Sequence, residues 1–221
     1  YHRRQFTIPV IGITGSNGKT IVKEWLYQLL HEDYNIVRSP RSYNSQIGVP
    51  LSVWPMNGQH TLGIFEAGIS EQGEMLRLEK IIQPTIGILS NIGEAHSEGF
   101  IDVEHKFREK IALFKNCRTI IGRDIDFEGR MDIIDMLGEG LNVLSWGTGN
   151  QCYFIVQDIK KHQQNTAITI ARESLVYQFT IPFTDEASIE NAITCCCVLL
   201  LWKIDPATVM ERMNKLHPVN M

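Results

Sequence analysis

The stretch GITGSNGKT, Gly12 to Thr20, decides how this chain is to be read. It has the ingredients of a phosphate-binding loop without the usual spelling. The common pattern is G-x-x-x-x-G-K-[ST]. Counting back from Gly18-Lys19-Thr20, the first glycine should fall at position 13, where Ile13 stands; glycines occupy 12 and 15 instead. The context is still that of such a loop: an apolar, strand-like run before it and a helix-like run after it. Glycines let backbone N–H groups turn onto phosphate oxygens, and a helix N-terminus adds partial positive charge. Gly15, Ser16, Asn17 and Gly18 would form the cradle, Lys19 would neutralise phosphate, and the Thr20 hydroxyl would ligate Mg²⁺. The alternative is a strand-to-helix turn that merely contains glycine and lysine.

Working outward, short and almost continuously apolar runs predict buried strands at 7–14, 35–39, 61–68, 85–91 and 118–122. Helical patterns alternate with them. In 20–32, Val22, Trp25, Leu26, Leu29 and Leu30 share one stripe, and 73–82 and 103–115 behave similarly. Strands alternating with helices predict an α/β fold, P-loop NTPase-like, with a mostly parallel sheet flanked by helices. The character changes near residue 140. NVLSWG, CYFIVQDIKK, NTAITIARE and LVYQFTIPF follow one another without helices, which predicts a small antiparallel β subdomain over about 141–184. A long apolar helix (185–204) and a shorter one (205–216), with Asp205 as N-cap and Pro206 in the first turn, complete the pattern.

The 221 residues, 43% hydrophobic and 21% charged, suit a globular protein with a sizeable core. A net charge of −4 shows no basic excess that would call for nucleic acid. No stretch of about 18 apolar residues could span a membrane, and no signal peptide is visible. Of five cysteines, Cys195, Cys196 and Cys197 are adjacent and cannot share a closed metal site in the C-x-x-C manner. They read as small buried hydrophobes in a reducing, cytoplasmic setting. The chain starts at Tyr1 and ends in LHPVNM, which suggests a piece of a longer protein.

Phosphoryl chemistry also needs a carboxylate for the metal, placed at a neighbouring strand end. TLGIFE supplies Glu66 there. The next strand ends at Asn91 and leads to His96. Ligands gather at the carboxyl ends of parallel strands, so Thr20, Glu66 and His96 are expected along one edge. For Glu66 the alternative is a solvated strand-end carboxylate, and for His96 a structural histidine.

Together these pieces resemble the central ATP-binding domain of the Mur ligases. That family's loop is written G-x-T-G-[TS]-N-G-K-T, and GITGSNGKT matches it throughout. RSYNSQIGVPLSVW (41–54), FEAGISEQGEMLRLEKIIQPTIGILSNIGEAHSEGF (65–100) and EKIALF (109–114) follow in family order, so the resemblance covers roughly 6–218. It is strongest to the MurF branch. It implies a bacterial, cytoplasmic, ATP-dependent ligase of peptidoglycan precursor synthesis, joining D-Ala-D-Ala to UDP-MurNAc-tripeptide through an acyl phosphate. It also implies flanking N- and C-terminal domains that this chain lacks, and little activity for the chain alone. A fused alanine racemase occurs in some relatives.

By this resemblance, Thr20 and Glu66 hold one Mg²⁺, and His96 and a carbamylated Lys110 serve a second. Lys110 sits in a motif written roughly A-K-x-x-[LI]-[FY], with Glu109 in place of alanine; Lys106 is a competing lysine whose following residues do not fit. Asn191 matches an asparagine that contacts adenine, although its companion three residues earlier is Ser188. Asn91 matches a position near the nucleotide, and Asn44 and Ser45 match a stretch near substrate and metal. Competing readings are a MurE-type ligase or folylpolyglutamate synthetase, a P-loop ATPase or small-molecule kinase, and a non-catalytic nucleotide-binding module.

Overall fold

A computed structural model describes residues 2–92, 103–127, 133, 137, 138 and 140–219. The expected strands form β1 (Val10–Thr14), β2 (Ile36–Arg38), β3 (Leu62–Glu66), β4 (Ile86–Leu89) and β5 (Thr119–Arg123). The sheet continues through β6 (Asn142–Gly147), β7 (Phe154–Lys161), β8 (Thr166–Arg172) and β9 (Leu175–Ile181), in the order β2-β3-β1-β4-β5-β6-β7-β8-β9. The helices are α1 (Lys19–Leu30), α2 (Gly48–Val53), α3 (Glu74–Ile82), α4 (Val103–Ile111), α5 (Asp124–Phe127), α6 (Glu186–Leu201) and α7 (Pro206–Asn214).

Alternation along the strands builds two cores. Ile11 and Ile13 of β1, with Leu62 and Ile64 of β3, pack against α1, α6 and α7. Val10 and Phe65 point the other way, toward α2, α3 and α4. Helix α6 is apolar around most of its surface because it lies buried between α1 and the sheet; Cys195, Cys196 and Cys197 are fully buried there as free thiols. Burial pushes all three thiols up, so they are inert packing groups. Asp205 caps α7, accepting from the N–H groups of Ala207 and Thr208, with Pro206 in the first turn.

Strand order reverses beside β1, whose neighbours are β3 and β4. In open parallel sheets ligands gather at the carboxyl edge beside such a reversal. No helix among the described residues is long and apolar enough to cross a membrane.

The second half differs in detail from the expectation. The antiparallel strands are β7, β8 and β9, and they extend the main sheet rather than forming a separate one. Strand β6, grouped with them by sequence, runs parallel to β5 through five paired positions. A parallel return needs a crossover of about a dozen residues or more, and 124–141 supplies it. β7 then continues in the direction of β6 and shares only two paired positions with it, so a six-residue link suffices. Helix α2 is masked in the sequence by Gly48 and Pro50. Pro50 falls in the first turn, where its missing N–H has no intrahelical acceptor to lose.

Trp25 ties α1 to the end of the chain. It is 1% exposed, its indole N–H donates to the His217 carbonyl at 3.0 Å, and its ring stacks on Phe183 at 4.9 Å. Trp25→Ala should cost about 3–5 kcal/mol of folding stability, read by urea denaturation. A loss within experimental error would show that this junction is not part of the core.

Candidate functional site

The loop Gly15–Gly18 joins β1 to α1 at the carboxyl edge of the sheet. Position 13, where a glycine was wanted, lies inside β1, and Ile13 is fully buried against the core of α1 and α6. The turn is made two residues later. At Gly15, φ is 144°, and a Cβ would stand 2.1 Å from Ser90 Oγ and 2.9 Å from the Asn91 carbonyl oxygen. Gly18 is left-handed, with φ 81°, and a Cβ there would lie 2.4 Å from Asn191 Oδ1. Neither position admits a side chain without displacing its neighbour.

The end of β4 braces the loop. The Ser16 N–H donates to the Asn91 carbonyl and the Asn17 N–H to the Asn91 side-chain oxygen, both at 2.8 Å. The Ser90 hydroxyl donates to the Asn17 carbonyl, with the Thr14 carbonyl oxygen 3.3 Å away. What remains for an anion is the first turn of α1, whose N–H groups have no intrahelical acceptors.

Cationic side chains surround this turn. Lys19 Nζ folds back onto the carbonyls of Gly15 and Ser16 at 3.0 and 3.1 Å. Lys110 Nζ, carried by α4, donates to the same Gly15 carbonyl at 2.9 Å. Lys106, one helical turn earlier, is also buried. Burial, then Lys19 and Lys106, lower Lys110 to about 7. Burial and Lys106 lower Lys19 as well, against the attraction of Glu66.

The carboxylate expected at the β3 end is in place. The Thr20 hydroxyl donates to Glu66 Oε2 at 2.9 Å. Glu66 is fully buried, and its Oε1 has no hydrogen-bond partner; the Lys23 ammonium stands 3.6 Å away. Burial raises Glu66 from the usual carboxylate range, while Lys23, Thr20 and Lys19 oppose the shift. A hydroxyl beside a buried carboxylate with one oxygen unsatisfied fits a hard divalent cation. Among the described residues no cluster of three His, Cys, Asp or Glu side chains is gathered. Mg²⁺ takes one or two carboxylates and leaves the remaining positions to water and phosphate, so Glu66 beside Thr20 is a donor set that could hold it.

The other expected residues divide. The N–H of Gly68, two residues past Glu66, donates to the Asn44 carbonyl at 2.8 Å, which puts Asn44 beside the carboxylate strand. Ser45 serves the local fold, since its Oγ accepts from the Gly48 N–H at 3.2 Å and starts α2. Asn191 lies against Gly18 at the head of α1. His96 lies outside the described residues. Glu109, the departure from the family motif, accepts from the N–H groups of Gly73 and Met75 at 2.7 and 3.3 Å, and so caps α3. Sequence reasoning does not single out Ser90 or Lys23. Ser90 gives no signal beyond its place at a strand end; Lys23 is detectable as a charge set into the apolar stripe of α1.

Lys110 makes stability depend on pH. The unfolded lysine keeps its proton up to about 10.5, and the folded one only up to about 7. Between these values the unfolded state binds the extra proton, so this group's contribution to stability rises with pH across that window. Below about 7 the full cost of a buried ammonium is felt. Lys110→Met should therefore be more stable than the parent at about pH 6, and the difference should shrink by about pH 9, as read by chemical denaturation. Equal differences at the two pH values would contradict the buried placement.

The family described as Mur ligase middle domain matches residues 13–199. The UDP-N-acetylmuramoyl-tripeptide–D-alanyl-D-alanine ligase of Bacillus subtilis is 24% identical over 212 residues, covering 96% of this chain and 45% of that protein. A MurF crystal structure from Acinetobacter baumannii superposes with a TM-score of 0.87 at 22% identity, covering 99% of this chain and 48% of that one. A Thermotoga maritima MurF ligase in complex with ADP gives 0.83 at 23%, covering 99% of this chain and 51% of that one. The chain thus spans about half the length of these proteins. The Gly15–Gly18 loop and the carboxylate strand lie within the matched region, and the chain belongs to the Mur ligase family as its middle domain.

Proposed function

We propose that the full-length protein is an ATP-dependent amide ligase that adds D-Ala-D-Ala to UDP-MurNAc-tripeptide, and that this chain is its ATP-binding centre. One observation carries the reading: Lys110, from EKIALF on α4, reaches the phosphate loop and bonds the Gly15 carbonyl. A simple phosphotransferase has no need of a second, acidified lysine there. Support comes from the Bacillus subtilis relative, which bears that activity as its name, and from the Thermotoga maritima structure, which holds ADP.

In this reading the first turn of α1 and Lys19 hold the triphosphate. Thr20 and Glu66 hold one Mg²⁺, and His96 with Lys110 serves a second. Bound divalent ions supply positive charge that lets a substrate carboxylate approach the γ-phosphate. An ammonium at Lys110 would repel such an ion. A neutral amine instead adds CO₂ and releases a proton, giving a carbamate anion, and a lysine lowered to about 7 has that neutral form available. Asn91 braces the loop to which the nucleotide would bind, and Asn191, beside Gly18, would meet its base. Asn44 and Ser45 would lie near substrate and metal. The substrate carboxylate would take the γ-phosphoryl group and release ADP; the amine of D-Ala-D-Ala would then attack the resulting acyl phosphate, forming the amide bond and releasing phosphate and a proton. The flanking domains would supply substrate binding and closure, and the enzyme would work in the bacterial cytoplasm.

Phosphate release by the full-length protein, with each acceptor offered beside its matching donor, tests this. D-Ala-D-Ala with the UDP-linked tripeptide should support turnover, and diaminopimelate, lysine or glutamate should not. The isolated chain should turn over slowly or not at all. Preference for another acceptor would move the protein to a different ligase branch, and phosphate transfer without amide formation would overturn the proposal.

A further inference from the structure

We infer that Lys23 is a positioning residue of the metal site: it holds Glu66 in the orientation that faces Thr20 and ties it to the turn carrying Asn44. The inference rests on reading Glu66 as a metal ligand. Lys23 lies on α1, one helical turn after Lys19, and is fully buried. A lysine is almost never fully buried without partners, and this one has three. Its ammonium stands 3.6 Å from Glu66 Oε1 and 3.1 Å from Glu24 Oε1, and it donates to the Arg41 carbonyl.

Each contact has a separate consequence. The ion pair draws Oε1 toward Lys23, and the Thr20 hydroxyl engages Oε2. The two oxygens are therefore distinguished, and the carboxylate is fixed between the two. The bond to Arg41 acts on a residue whose backbone is left-handed, with φ 47°, a conformation uncommon for a non-glycine residue. Three residues on, the Asn44 carbonyl accepts from Gly68 at the β3 end. The 41–44 turn is thus held to α1 at one end and to the carboxylate strand at the other. Glu24 completes the set by pairing with Arg38, whose guanidinium lies over the Tyr27 ring. A single buried cation links the candidate metal carboxylate and the candidate substrate turn.

Groups that orient a metal ligand from behind typically change metal affinity about 10–100-fold when removed. The readout is the factor by which Mg²⁺ tightens ADP binding, measured by calorimetry on the full-length polypeptide. Lys23→Met should reduce that factor about 10-fold or more while leaving Mg²⁺-free ADP affinity nearly unchanged. Glu66→Gln should reduce it too, and the double variant should be no worse than Glu66→Gln alone, because both act through one ligand. Glu24→Gln should keep the factor. If Lys23→Met fails to fold, Lys23→Gln, which keeps a donor for the Arg41 carbonyl, carries the same measurement.

An unchanged Mg²⁺ factor in the Lys23 variants, or losses that multiply in the double variant, would overturn the inference while leaving Glu66 as a ligand. A parent protein whose ADP binding ignores Mg²⁺ would overturn both. Parallel weakening of ADP binding with and without Mg²⁺ would mean Lys23 only supports the fold, and would also overturn it.

Discussion

Two lysine amines converge on one carbonyl oxygen, that of Gly15. One comes from the loop's own helix and the other from α4, ninety-five residues beyond Gly15. Gathering two like charges at a desolvated point is costly: burial lowers the proton affinity of both, and Lys19 and Lys106 lower that of Lys110 further. Such an arrangement persists when the surrounding structure over-determines it. Here α4 is anchored by Phe107 and Ile111 in the core shared with α2 and α3, and Glu109 on the same helix caps α3. The position of Lys110 is therefore a by-product of packing that would exist without any ligand.

The same logic runs through the rest of the site. The order β3-β1-β4 puts the loop between a carboxylate strand and a bracing strand. Glu66 arrives from one side, Asn91 and Ser90 from the other, and Asn191 closes over Gly18 from α6. Negative charge is scarce and positive charge abundant near the first turn of α1. An anionic ligand with a divalent ion fits that imbalance, and a neutral ligand would not relieve it.

Much of this is legible in the chain itself. The strands β1, β3 and β4 are apolar on both faces, and the loop's spelling names its own fold. Glu66 and Lys110 can be placed because strand ends and a short motif mark them. Other features depend on three-dimensional company. Strand β6 looks like its antiparallel successors, and only the crossover over 124–141 makes it parallel to β5. Helix α2 is too short, and too rich in glycine and proline, to show a period. Glu109 reads as a blemish in a motif until the amides of α3 come within reach. Lys23 shows in the sequence only as a charge set into the apolar stripe of α1, and that charge acquires meaning only once Glu66 is opposite.

The central claim is that Lys110 leaves the Gly15 carbonyl as an anion-bearing side chain when the site is loaded. The direct measurement is a crystal structure of the full-length protein with an ATP analogue, Mg²⁺ and bicarbonate. Density for a carboxyl group on Lys110 Nζ, facing a metal ion, is the expected result. A plain lysine in that loaded state, still bonded to the Gly15 carbonyl, would contradict it.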